Sequence, residues 1–252
     1  MNLSARLIYR RTSAVVSSTT MSRLVTFDAT NTLIRLRYSP GDYYAAVAGR
    51  HGLVVSAPEA DRSFRHHFRT LLAEEPNFGR GLAGGWRRWW TTLVGRVLTD
   101  ASATPPSSET AGAVADRLLA DYAGVECWRT AEGAVPLLER LAARDIRLGV
   151  VSNFDPRLHR LLERFELSQY FDFVIASYEY PFCKPDQRIF ELARRSAGAD
   201  RCTHVGDSVR LDYEAARAAG WEAVLVGSVP PEAGVDPAHL CPRLADLEDY
   251  LN

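Results

Sequence analysis

Short apolar runs without polar alternation recur along this chain, each closed by a small or acidic residue. Leu24–Phe27 stops at Asp28, Leu148–Val151 at Ser152, and Phe173–Ala176 near Ser177. Thr203–Val205 stops at Gly206-Asp207, and Ala223–Val226 at Gly227. Strands covered on both faces have this unbroken pattern. Helical periodicity fills the intervals at 131–144 after Thr130, 156–165 after Asp155, 186–198 after Pro185 and 211–219 before Gly220. The alternation predicts an α/β fold: a parallel sheet flanked by helices and joined by right-handed crossovers.

The interval between the first two strands breaks the rhythm. Residues 40–127 contain four helical patterns (42–51, 57–74, 84–99 and 109–123) and no convincing strand. Gly79, Gly81, Gly84 and Gly85 separate the second from the third. An inserted helical subdomain is expected there, on a core formed by 22–39 and 128–252. Trp86, Trp89, Trp90 and Leu93 recur at helical spacing and are expected to pack inside the insertion, whereas Arg87 and Arg88 are left open. His66 and His67 are expected on a solvated helix face.

Composition narrows the partners. A hydrophobic share of 46% and a net charge of −1 give no reason to expect nucleic acid or an anionic membrane surface as a partner. No apolar run approaches the roughly 18 residues a membrane helix needs. Four scattered cysteines lack metal-finger spacing and are expected to be free thiols in a reducing, intracellular compartment. Residues 1–21 contain Arg6, Arg10 and Arg11 but no acid, a composition similar to a mitochondrial transit peptide. The compartment is therefore expected to be cytoplasmic, or mitochondrial if that segment is a leader. Met21 offers an alternative start, and the segment is set aside from the fold.

Of the 30 Lys and Arg residues, only Lys184 is a lysine. A compact ammonium suits a confined pocket that a planar guanidinium would not enter. The strand ends supply its company. Asp28 follows an apolar strand, where an acid is costly unless paired or metal-bound; it is a candidate nucleophile and Mg2+ ligand. Ser152 and Asn153 offer a hydroxyl and a backbone amide to a phosphoryl oxygen. Lys184 would neutralise both the nucleophile and the transferring group. Asp207 would complete an oxygen-rich site suited to Mg2+, with Asp212 orienting it from the next helix. Each residue alone has a bland explanation as a cap or a turn. Four such groups in order, each at the carboxyl end of a strand or close by, do not.

The series Asp28…Thr32, Ser152, Lys184-Pro185 and Gly206-Asp207…Asp212 resembles the four motifs of the haloacid dehalogenase (HAD) superfamily over residues 22–230. The resemblance implies a Rossmann-like core, a helical cap, Mg2+ dependence and hydrolysis of a small phosphorylated substrate. It places Lys184 and the Asp28 nucleophile at the reaction, and Asp28, Asp207 and the Thr30 carbonyl on the ion. Thr32 and Asp212 would support that site from behind.

One position departs from the family's pattern. HAD phosphatases carry a second aspartate two residues after the nucleophile, and this chain has Thr30. A threonine hydroxyl has no pKa near neutrality and cannot replace a group that typically contributes about 10²–10⁴-fold. Weak turnover is expected, with a non-catalytic phosphometabolite-binding or regulatory protein as the alternative. Phosphonate hydrolysis through a cap lysine is excluded, because residues 40–127 hold no lysine. Haloacid dehalogenation needs no metal, and Asp207 argues against it. Oligomeric state is not legible.

Overall fold

The computed structural model describes residues 22–144, 146–228 and 234–251. The expectations for residues 1–21, a leader and a start at Met21, lie outside the described residues. In chain order the elements begin with β1 (Arg23–Phe27), β2 (Ile34–Leu36), α1 (Pro40–Arg50), α2 (Ala57–Glu74), the single turn α3 (Pro76–Gly79), α4 (Gly85–Ala101) and α5 (Ser108–Asp121). They continue through β3 (Trp128–Thr130), α6 (Ala134–Ala142), β4 (Ile146–Ser152), α7 (Arg157–Arg164), β5 (Phe173–Ala176) and α8 (Arg188–Ala197). After β6 (Arg201–Gly206) come a π-helical turn (Val209–Glu214), α9 (Ala215–Ala218), β7 (Glu222–Val226) and β8 (Leu240–Cys241).

Two units emerge. Among the described residues, one comprises 22–35, 130–153 and those from Leu162 onward; the other comprises Leu36–Arg129 and Phe154–Leu161. The first is built on a six-stranded sheet in the order β5-β4-β1-β6-β7-β8, parallel throughout. All five expected strands are present, and the α/β sheet flanked by helices is the fold of this chain. The mostly buried residues of β1 and β4 explain their unbroken apolar runs. Phe190, Ile189, Trp221, Leu225 and Ile175 pack together in the core.

β1 sits between β4 and β6, so the chain order reverses direction across the sheet at β1. Open α/β sheets bind ligands at such a switch, outside the carboxyl ends of the strands. Register makes the statement specific. Phe27 pairs with Val150 on one side and Val205 on the other, which carries Asp28, Ser152 and Asp207 out along one edge.

Several local expectations are corrected. Thr130 does not cap the helix at 131–144, because it is the last residue of β3. The helix starts at Ala134, behind Gly133 at φ 77°. The 186–198 helix begins at Arg188, whose N–H donates to Asp186 Oδ1 at 2.9 Å. The 211–219 helix is displaced by the π-helical turn, capped by Ser208 Oγ accepting from Leu211 N at 3.2 Å. Periodicity alone does not reveal the short strands β2, β3 and β8.

In the second unit Trp89 is fully buried. Its ring meets Phe78, Phe68 and Trp90 edge-on at 5.3, 5.5 and 5.0 Å between centroids. Leu93 is buried as well, so Trp89 and Leu93 build that unit's own core, whereas Trp86 and Trp90 are only partly buried. Arg88 pairs with Glu75 at 2.6 Å, and Arg87 lies over the Trp86 ring at 4.7 Å. The solvated reading of His67 is wrong. Its side chain is 17% exposed and its Nε2 lies 2.9 Å from Asp100 Oδ2, because α2 turns that position toward α4. All four cysteines are free thiols, and no helix among the described residues is long and apolar enough to cross a membrane.

Candidate active site

Asp28 leaves the end of β1 with its N–H donating to Val205 O at 2.8 Å, which continues the sheet by one bond. Its carboxylate is buried and accepts from Lys184 Nζ at 2.7 Å. Lys184 also donates to Asp212 Oδ1 at 2.5 Å and to Val151 O at 2.9 Å. An ammonium has three hydrogens, and all three are taken by acceptors converging on one point. A planar fork cannot match that arrangement, which accounts for lysine at this position.

The lysine is held at its backbone as well. Asn153 Nδ2 donates to Lys184 O at 2.8 Å, and Lys184 N donates to Asn153 Oδ1 at 2.8 Å. The Asn153 amide is thus occupied in fixing the loop that carries Lys184, and only its main chain is left for a phosphoryl oxygen. The Lys184–Pro185 peptide is cis. Ser152, at the end of β4, is buried.

Asp212 does not face solvent. The wide π-helical turn carries it into the protein at 2% exposure, where Oδ2 accepts from Ser208 N at 2.9 Å. With Lys184 and the His204 ring on Oδ1, its oxygens are already engaged by donors. Asp207 is less buried and accepts from Asn31 Nδ2 at 3.0 Å. Asn31 adopts φ 62°, a left-handed conformation that asparagine tolerates. Thr30 bridges to Ile34. Thr32 is fully buried and its Oγ1 has no hydrogen-bond partner among the described residues.

The protonation states follow from this packing. Burial pushes the Asp28 carboxyl up; Lys184 opposes this, and the charges of Asp212 and Asp207 reinforce it. Asp207 is raised chiefly by burial. Burial would also raise Asp212, but Lys184 and His204 hold it well below the usual carboxylate range. Burial works against the Lys184 ammonium, yet its two carboxylates win and raise its pKa. Carboxylate oxygens of Asp28, Asp207 and Asp212 lie within 4.8 Å of one another. Three carboxylates against one ammonium leave two negative charges in a confined space. A hard divalent cation fits that charge and that all-oxygen donor set. Asp28 and Asp207 are the carboxylates best able to hold it, since Asp212 is committed to its donors.

The structure therefore gathers Asp28, Lys184, Asp207 and Asp212 into one cluster, with Ser152 and Asn153 at the same sheet edge. Sequence reasoning misses Asn31, Ser208 and, most consequentially, His204. A histidine within a strand expected to be buried is a usable signal, because such a ring needs two hydrogen-bond partners.

A family model described as haloacid dehalogenase-like hydrolase matches residues 23–220. The chain belongs to that family. HAD relatives include the Rhythmically expressed gene 2 protein of Drosophila melanogaster, 35% identical over 215 residues, covering 81% of this chain and 82% of the relative. Haloacid dehalogenase-like hydrolase domain-containing protein 3 of Mus musculus is 37% identical over 239 residues, covering 91% and 94%. Among solved HAD structures, a 2-haloacid dehalogenase from Pseudomonas syringae superposes with a TM-score of 0.63 at 27% identity, covering 92% of this chain and 98% of that one.

Proposed function

We propose that this HAD-like hydrolase cleaves a small phosphorylated molecule with Mg2+, slowly, through the Asp28 carboxylate. The observation that carries the reading is the pairing of Asp28 with Lys184 beside a second, half-buried acid, Asp207. In the first step an Asp28 oxygen bonds to phosphorus while the ester P–O bond breaks, and the leaving alkoxide takes a proton from solvent. In the second, water attacks that phosphorus, the aspartyl P–O bond breaks, and phosphate leaves with the Asp28 carboxylate restored. Lys184 remains positively charged throughout and offsets the negative charge that gathers on the transferring group. Asp28, Asp207 and the Thr30 carbonyl would hold the cation, which neutralises phosphate charge when bound.

Thr30 limits both steps. No titratable side chain stands two residues beyond Asp28 to protonate the leaving group or activate the water. The same absence supports a second reading, a phosphometabolite-binding or regulatory protein that retains the pocket without turnover.

Likeness to a dehalogenase does not carry that reaction over, because the acidic cluster here calls for a cation, which halide displacement does not need. The test is a panel of phosphorylated metabolites with Mg2+, read as phosphate release. Turnover that disappears in Asp28→Asn supports hydrolysis. Binding by calorimetry without consumption favours the second reading, and activity on 2-haloacids alone would replace both.

A further inference from the structure

His204 and Thr26 face each other across β6 and β1, paired in register and both fully buried. Thr26 Oγ1 lies 2.8 Å from His204 Nδ1, and His204 Nε2 lies 3.1 Å from Asp212 Oδ1. The same Asp212 oxygen is 2.5 Å from Lys184 Nζ. Phe190 packs edge-on against the imidazole at 5.2 Å.

The hydrogens in this row can be assigned. Asp212 is ionised and can only accept, so His204 Nε2 carries a hydrogen. Burial, together with the nearby Lys184 charge, outweighs Asp212 and keeps the ring neutral. Nδ1 therefore has a lone pair and accepts the Thr26 hydroxyl hydrogen. Thr26 Oγ1 also lies 3.5 Å from Thr203 O, the longer of its two contacts. A buried ring deprived of either partner bears the desolvation of an unpaired polar group, so an apolar residue would be the simpler filler of this strand position. Among the described residues, the ring's polar contact beyond β1 is the carboxylate that grips the lysine.

We propose that His204 is a positioning residue that orients Asp212, and through it fixes the Lys184 ammonium against Asp28, with Thr26 setting the tautomer. The catalytic consequence rests on the hydrolase reading above; the positioning itself does not.

Lys184 is the only lysine in the chain, so protein grown with lysine carrying 13C at Cε gives one side-chain methylene signal. The measurement is made on the full chain without substrate. In His204→Leu that signal moves away from its wild-type position. In Thr26→Val, which removes a hydroxyl at nearly constant volume, it moves less. In His204→Gln, whose amide can still donate to Asp212, it stays near wild type. Should His204→Leu fail to fold, Thr26→Val decides the matter alone. Coincident signals in the wild type, His204→Leu and Thr26→Val overturn the proposal, as does His204→Gln shifting as far as His204→Leu. For the catalytic half, His204→Leu lowers kcat by about 10²-fold, the cost of a small misplacement at a reacting centre, with KM little changed and His204→Gln restoring the rate. Normal turnover with a displaced Lys184 signal refutes that half. A wild type without turnover counts against the hydrolase reading and leaves positioning to the methylene signal.

Discussion

Gly206 leaves the space that Asp212 occupies: a Cβ on Gly206 would lie 2.2 Å from Asp212 Cγ and 2.4 Å from its Oδ2. The neighbour is a carboxylate fixed by Lys184, His204 and Ser208, so it cannot swing aside without breaking those bonds. Gly206→Ala is therefore expected to destabilise the fold by about 1–3 kcal/mol through overpacking and to displace Lys184. Denaturant unfolding checks the first effect and phosphate release the second. A variant as stable and active as wild type would contradict the close approach.

Lys184→Met removes the only ammonium of the cluster and leaves Asp28 and Asp212 facing each other uncompensated. A buried pair broken on one side costs about 3–5 kcal/mol, and that loss is expected in urea unfolding of the cation-free protein. Mg2+ should recover part of it, since the cation supplies the missing positive charge. Lys184→Arg is expected to fail as well, because the guanidinium cannot direct three donors from one point.

Much of this geometry is legible in the amino-acid order, and the legible parts differ in kind from the hidden ones. Asp28, Ser152 and Asp207 announce themselves because each ends or follows an apolar run, and a parallel sheet aligns such ends without further information. Lys184 is conspicuous through composition alone. His204 and Thr26 stay hidden because their meaning lies in the register of β1 against β6, a pairing between residues 178 apart. The π-helical turn escapes for a similar reason. One extra residue in a turn looks like ordinary helix in sequence, yet it decides whether Asp212 points into the protein or out of it.

Thr30→Asp should restore a group able to donate and accept a proton two residues after the nucleophile. Hydrolysis of an activated phosphoester is expected to rise, by up to about 10²-fold, the lower end of what general acid–base groups contribute. Steady-state kinetics with and without the substitution decide it. Unchanged rates would mean that something other than residue 30 limits turnover.

Asp28 and Asp207 are both shifted upward, by burial first and by neighbouring carboxylates next. A carboxyl whose folded pKa exceeds its unfolded value binds protons more readily when folded. Both groups therefore weaken the cation-free fold at neutral pH, and the penalty lifts as pH falls through their folded values. Asp212 has the opposite sign, but its stabilisation is lost only below the ordinary carboxylate range. In chelator, Tm should rise on going from neutral to mildly acidic solution; with Mg2+ present that trend should flatten or reverse. A chelator profile that falls over the same window would show that the two shifts have been misassigned.

Trp89→Ala tests the second unit independently. Removing a fully buried indole ringed by Phe68, Phe78 and Trp90 is expected to cost about 3–5 kcal/mol, measured by chemical denaturation.

The solitary lysine has a practical corollary. With the whole residue sealed at 2% exposure, acylating dyes and crosslinkers find no ε-amine on the intact fold. Acylation of Lys184, followed by mass spectrometry over time, would count the moments when this site breathes open, without any engineered probe.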